Sequence, residues 1–477
     1  MSIFEQANEA RLGALNVAPI ISMPQLPNIL SEWAAIVPLV CHLATHRDDH
    51  ATTGKVALAG RVSVSLFPRL GSLSGLSRLI GNTRKFLDHA SSRGGTSLHV
   101  WDVYWGGMFP CSNGIAVEFI IDYCQQRHGR VSTIRMPDIL PELRPVPPRL
   151  SSYSSTNLSS RSSISSHGTR ISSSKNGTRA PRPDPDKDSI FRFRRSQTLH
   201  VFRCFRKPGR PLKSQPSNSW SFAPHILRPL CAAVVAVALL LCGSFGTAAM
   251  LFCTAISGFA ASLLVAVKRP PGYLENNEAG LPSGCMLAAA HQNATEWYLF
   301  VGDRGIVDTL LNKTMFWIPD TRTARLVGGW LRLAHFIQLA AMTFAAGQKG
   351  WDGVCLVALL AVNWLLERCA NSNANLAHSW LTRECVGVEI KKFEFSGRSY
   401  MLGAIQLYSG SQTTSWMDDI ITPHPRREAW LRRLFGQEPD HSSWSPADLA
   451  KIDSSARLSV EAAFVMNAEL GAPTGEA

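Results

Sequence analysis

An uncharged run of thirty-eight residues, 230–267, reads LCAAVVAVALLLCGSFGTAAMLFCTAISGFAASLLVAV and contains no Asp, Glu, Lys, Arg or His. At about 1.5 Å rise per residue, a continuous helix of that length would be nearly twice the ~30 Å hydrocarbon thickness of a bilayer, so two passes fit better than one. Two glycines in the four residues Gly243-Ser244-Phe245-Gly246 lower helix propensity and permit a tight turn. Thr254, Gly258 and Ser262 form a row of small residues that lets the two helices approach closely.

A second, less apolar hairpin is expected over 326–346 and 351–369, joined by Gly347-Gln348-Lys349-Gly350. Arg332, His335 and Gln338 fall within about 120° on one side of its first helix, and Asn363 and Glu367 lie one turn apart on its second. Antiparallel pairing about residue 349 sets Arg332 opposite Glu367 and His335 opposite Asn363. Ionisable groups in hydrocarbon are costly unless paired, so these four are the intramembrane polar candidates.

The fold expected from these features is a mainly α membrane protein. It has two transmembrane helical hairpins, about four spans in all, with soluble, partly disordered cytosolic segments and a small C-terminal β-hairpin. Seven segments divide the chain: an N-terminal region (1–148), a Ser-rich linker (149–190), a basic juxtamembrane segment (191–228), hairpin 1 (229–267), a loop region (268–325), hairpin 2 (326–369) and a cytosolic C-terminal region (370–477).

The formal charge of +13 raises the question of an anionic partner, and the answer depends on where the charge sits. Eight Lys/Arg and no Asp/Glu lie in 191–213, interleaved with Phe191, Phe193, Phe202 and Phe205. So close to an apolar run, they read as a segment on the anionic cytoplasmic leaflet rather than as a nucleic-acid surface. Basic residues beside the first span also keep the N-terminal half cytosolic. An even number of spans then puts both termini and the 268–325 loop in the cytosol, where the sequons at Asn293 and Asn312 stay unglycosylated. The bilayer, with a homo-oligomer or a protein partner, is the expected company. The apolar runs do not separate plasma membrane from endomembrane.

The serine run supplies thirteen Ser in residues 151–174. Such a segment cannot bury enough apolar surface to offset its ordering entropy, and reads as disordered linker. Ser173 and Thr198 each have an arginine three residues ahead, Arg170 and Arg195, which makes them the phosphorylation candidates. The eleven cysteines are scattered without a CxxC pair, as reduced thiols serving as small apolar side chains. No catalytic, cofactor or metal residues are assigned. Thr53-Gly54-Lys55 lacks the flanking glycine and hydroxyl of a phosphate loop, and Glu275, Glu278, His291, Glu296, Asp303 and Asp308 match no metal-ligand spacing. Gly302-Asp303-Arg304-Gly305 reads as an ordinary turn with a local charge pair.

The remaining segments carry local signals. Residues 29–44 hold Glu32, Pro38 and His42 and are short and polar for a span, while 98–124 reads as an aromatic strand followed by a helix. Residues 386–395 alternate as a strand, with 400–408 as its hairpin partner. The second half of 416–434 is an amphipathic basic helix, and Ser445 with Pro446 begins another.

The strings RPPGYLENNE (269–278), HQNATEWYLFVGDRGIVDTLLNKTM (291–315) and WMDDIITPHPRREAWLRRL (416–434) resemble those of a group of uncharacterised multi-pass membrane proteins of filamentous fungi. The resemblance spans roughly 190–435. It implies a membrane protein and carries no catalytic or ligand-binding residue with it. Three functional classes follow: a membrane-anchored scaffold or regulator, a small-solute transporter or channel subunit using the polar residues of hairpin 2, and a membrane-bound enzyme in which His291, Glu296 and Asp303 converge.

Overall fold

The computed structural model describes residues 21, 24–44, 49–67, 72–83, 85–87, 98–127, 132–136, 196–208, 223–278, 280, 282–347, 350–369, 372–438 and 444–471. Its centre is a seven-stranded mixed sheet: β1 His99–Asp102, β2 Met108–Pro110, β3 Thr133–Arg135, β4 Gln197–Arg206, β5 Ser283–Ala289, β6 Glu296–Asp303 and β7 Val386–Phe395. They lie in the order β2-β1-β5-β6-β4-β7-β3. β4 runs parallel to β6 and antiparallel to β7, β5 is antiparallel to both β1 and β6, and β3 is parallel to β7.

Side chains alternate along each strand, so a sheet covered on both faces needs apolar residues at nearly every position. β5 is buried at every position and apolar from Cys285 to Ala289. Cys285, Leu287 and Ala289 enter one core, Met286 and Ala288 the other. β6 sends Trp297, Leu299 and Val301 to the first and Phe300 to the second. The first core is closed by α11 Arg398–Ser409, α12 Pro425–Leu434 and α13 Pro446–Leu470. The second is closed by α2 Asp49–Ala59, α3 Ser72–Gly81, α4 Gly114–Arg127, α7 Arg304–Leu311 and α10 Asn373–Arg383.

Five further helices build an apolar layer: α1 Asn28–Ala44, α5 Ala223–Leu241, α6 Phe245–Leu264, α8 Arg322–Gly347 and α9 Trp351–Cys369. α6 and α8 join it to the body, because each has one end in the sheet's second core and the other in the layer's own core. Ala261 and Leu331 lie in the former, Met250, Leu251, Ala341 and Met342 in the latter.

This architecture overturns the expected mainly α membrane protein with a small C-terminal β-hairpin. The sheet takes strands from both sides of each apolar run, and the segments assigned to the N-terminal region, the juxtamembrane segment, the loop and the C-terminal region each contribute to it. Two stretches, Phe245–Leu264 and Trp351–Arg383, are long and apolar enough to cross a membrane by length and composition, and α1 and α5 hold shorter ones, Asn28–Cys41 and Ile226–Leu241. α8 falls short because Arg325, Arg332, His335 and Gln338 dilute its apolar run.

Local expectations divide in the same way. α5 and α6 turn at Gly243 as expected, and a Cβ on Gly258 would stand 3.3 Å from Pro229 of α5, the close approach that the small-residue row implied. β1, α4, β7, α12 and the start of α13 at Ser445-Pro446 also follow the sequence signals. By contrast, 400–408 is helical, inside α11. Met401, Leu402, Ala404, Ile405 and Tyr408 fall on one helical stripe that the short apolar run disguised as alternation. The segment expected to lie on an anionic leaflet contributes β4, with Val201 and Phe202 fully buried and Arg206 paired with Asp303 at 2.8 Å. Arg203 and Arg206 lie within the strand itself, among apolar positions that face the two cores.

Candidate functional site

Strands β1, β4 and β6 end at one edge of the sheet, where β6 passes directly into α7. This junction is the Gly302-Asp303-Arg304-Gly305 that reads locally as a simple turn. Gly302 has φ +117°, and a Cβ there would run into the backbone carbonyl of Cys204 on β4. Asp303 caps α7 through the Ile306 N–H and holds Arg206.

Arg304 points inward and is 2 % exposed. Its Nη2 lies 3.4 Å from Asp102 Oδ2, and its Nε lies 2.8 Å from Glu278 Oε2 and 3.7 Å from Asp308 Oδ2. Lys313 Nζ approaches Asp308 at 3.9 Å. Three carboxylates thus face two cations. Arg304 Nη1 and Asp308 Oδ1, both buried, make no hydrogen bond among the described residues. Burial pushes the Asp102 carboxyl up, against the backbone N–H groups of Trp105 and Tyr104 and the charge of Arg304, all of which favour its anion. Burial likewise raises Asp308, opposed by Arg304 and Lys313.

The loop RPPGYLENNE closes over this cluster. Leu274 is buried with φ +58°, a conformation unusual for a side-chain-bearing residue. It is held by its N–H to Thr309 Oγ1 at 3.0 Å and by a bond from Arg206 Nη2 to its carbonyl. Lys313 donates to Glu275 O, and Trp105 Nε1 donates to Glu278 Oε2 at 3.1 Å. Arg269 lies 4.6 Å over the Tyr273 ring and donates to the carbonyls of Ala57 and Met315. The cluster therefore ties the loop to the sheet edge through charge, and its chemistry is that of protonatable carboxylates around a fixed guanidinium.

The intramembrane polar candidates do not meet. α8 packs on α6 and α3 while α9 packs on α1, so the two helices do not form a closed hairpin. Among the described residues no ion pair joins Arg332 to Glu367. Arg332 is exposed, His335 stacks obliquely on its neighbour Phe336, and Asn363 Oδ1 instead accepts the Phe67 N–H at 3.1 Å. Gln338 is the buried polar group of α8 and donates to Thr254 of α6 at 3.3 Å. Of the phosphorylation candidates, Ser173 lies outside the described residues, and Thr198 sits within β4 between Glu296 and Glu394 of the adjoining strands. His291 and Glu296 lie at the opposite end of β6 from Asp303, roughly 23 Å away at ~3.3 Å per residue, so these three do not form a catalytic group. Among the described residues no cluster of three or more His, Cys, Asp or Glu is arranged to hold a metal.

The apolar layer contains a cavity of about 590 Å³. α5, α6 and α9 form its walls, and the strap 61–67 after α2 crosses it, with Val64, Ser65 and Leu66 on the lining and Phe67 fastened to Asn363. The lining is apolar except for a few groups, among them Arg228, Thr247, Thr254 and Asn363. Nothing in the sequence signalled it, because the cavity depends on how α5, α6 and α9 pack around one another.

No protein-family model matches the chain, and no curated protein or solved structure is similar to it.

Proposed function

We propose that this protein is a membrane-associated scaffold or regulator in which the α/β body is held at a bilayer by the apolar layer of α1, α5, α6, α8 and α9. One observation carries the reading. Of the thirty large hydrophobic side chains exposed on the described residues, twenty-four lie on those five helices, eight of them on α5 alone. A water-soluble protein rarely leaves so extensive an apolar surface uncovered, because each exposed Å² costs about 25 cal/mol relative to burial. Half of α6 is enclosed by its neighbours, whereas α9 is largely uncovered.

Both apolar excursions begin and end at the sheet. β4 precedes α5 and β5 follows α6, while β6 precedes α8 and β7 follows α9. The body therefore occupies one side of the bilayer whether the helices cross it or dip into it. The test is liposome flotation of the full chain with and without alkaline carbonate. Flotation that survives carbonate supports insertion, loss in carbonate supports surface attachment alone, and a protein that stays at the bottom in both conditions defeats the proposal.

A further inference from the structure

The cavity in the apolar layer is long and narrow in outline. On α6 its lining residues Thr247, Leu251, Thr254 and Gly258 recur at helical spacing, and α5 contributes from Leu227 to Leu239. At about 1.5 Å per residue these stripes run ~16 and ~18 Å, so the space is a slot along the helices. α6 is its floor, with Leu251 and Thr254 buried. α5 and α9 both pack on α6 and form its sides. Their lining residues Leu227, Val235, Val362 and Leu366 are exposed, so the slot opens sideways onto the apolar surface of the layer. The polar groups of the lining are already engaged. The Thr247 hydroxyl donates to Asp352, the Thr254 hydroxyl donates to the Met250 carbonyl and accepts Gln338, and Asn363 Oδ1 holds the strap at Phe67. Arg228 is not free either. A water needs two to four polar partners to stay in a cavity, and this floor does not supply them.

We propose that the slot holds one long alkyl chain of a bilayer lipid, which enters sideways between α5 and α9 while its headgroup stays outside and is not recognised. The volume of about 590 Å³ falls within the ~300–1,000 Å³ of small-molecule sites. A floor whose polar groups are occupied offers a ligand hydrocarbon contact and little else, which selects a chain over a charged or hydrogen-bonding molecule. The sideways opening gives the chain its route, because the rim residues belong to the same exposed apolar surface of α5 and α9 that faces the bilayer in the proposed function. The strap, fastened by Asn363, crosses the slot and bounds it there. The inference deepens the membrane reading and rests on it for the source of the lipid.

The experiment uses the full chain, purified in an uncharged detergent and photolysed with a monooleoylglycerol that carries a diazirine near the end of its chain. The expected result is one adduct per chain, mapped by mass spectrometry to the stretch of α6 that holds Leu251 and Thr254. Unlabelled monooleoylglycerol and oleoyl lysophosphatidylcholine, which share the chain and differ in headgroup, should compete equally well, and cholesterol at least tenfold less. Ala358→Trp and Val362→Trp, at the exposed rim of the lining, should each cut the adduct at least tenfold, whereas Leu365→Trp, exposed on α9 outside the lining, should leave it unchanged. Wild-type adducts spread over the outer faces of the helices overturn the proposal without recourse to any variant. So do stronger competition by cholesterol, an adduct that persists in both rim variants, or an equal loss in Leu365→Trp. Wild-type flotation is scored separately: a chain that floats without the α6 adduct refutes the slot alone, and an α6 adduct on a chain that does not float refutes the membrane reading alone.

Discussion

Arg304 determines the character of the sheet edge. A guanidinium taken this far from water needs carboxylates around it, and those that surround it are themselves partly desolvated. Asp102 binds its proton more tightly in the folded chain than in the unfolded one, so the folded state takes up the extra proton. Its contribution to stability is complete below the unfolded value of about 3.9 and is lost as pH rises through the folded value. Asp102→Asn removes that dependence. The stability advantage of wild type over the variant should therefore widen as pH falls from 7 towards 4, as read by denaturant unfolding at each pH. A constant or narrowing gap would mean that Asp102 is not desolvated in this way. Apart from Asp308, one helical turn from Arg304, the residues of the cluster stand far apart in the sequence, at 102, 278 and 304. Their types were visible there, but the meeting of Arg304 with Asp102 and Glu278 was not, because the turn reading of Gly302-Asp303-Arg304-Gly305 assigns Arg304 to Asp303, with which it does not pair.

At the scale of elements, the helices of the apolar layer are joined by polar contacts that hydropathy does not register. Asp352, in the first turn of α9, is 5 % exposed and caps the start of α6. Its two oxygens accept the N–H groups of Gly246 and Thr247 at 2.7 Å each, and the Thr247 hydroxyl also bonds to it. The positive end of the α6 dipole and these donors stabilise a carboxylate in an otherwise apolar setting. A Cβ on Gly246 would stand 2.7 Å from that carboxylate, so glycine serves packing here as well as the turn. Asp352→Ala should cost roughly 2–6 kcal/mol, because two buried N–H groups lose their acceptor at about 1–3 kcal/mol each. The change should appear as a lower thermal midpoint and faster proteolysis after residue 241. A midpoint unchanged within error would mean that the α6–α9 junction is not held by this cap. Strand β4 teaches the converse lesson. Its residues alternate correctly for a strand, but eight basic residues in and around it suggested a surface segment, and only its partners β6 and β7 reveal that its apolar positions face two cores.

For the molecule as a whole, α8 is the structural link. At 26 residues, or about 39 Å, it packs beside α3 at one end, where Ser77 Oγ donates to the Gly328 carbonyl at 2.6 Å, and reaches the core of the apolar layer at the other. Because β4, β5, β6 and β7 form one continuous sheet, the segments before, between and after the apolar runs share one side of any bilayer. Asn293 and Asn312 are both exposed on that body. On the cytosolic orientation expected from the basic residues of the sequence, neither should acquire an endoglycosidase-sensitive glycan in a secretory-competent cell. A glycan on either would invert the orientation of the whole body, since the sheet does not permit one loop to be outside alone.

The sequence by itself determined the apolar runs, the turn at Gly243, the strand at 386–395, the cap at Ser445 and the burial of many cysteines. Each of these follows from composition or from a period within about a dozen residues. Tertiary structure alone decided that 197–206 is an inner strand, that Arg332 and Glu367 do not pair, and that α5, α6 and α9 enclose a cavity. Each of those depends on which distant segments lie alongside. A strand is recognised by its neighbours and a buried charge by its partners, and both are set by pairings hundreds of residues apart that no local period encodes.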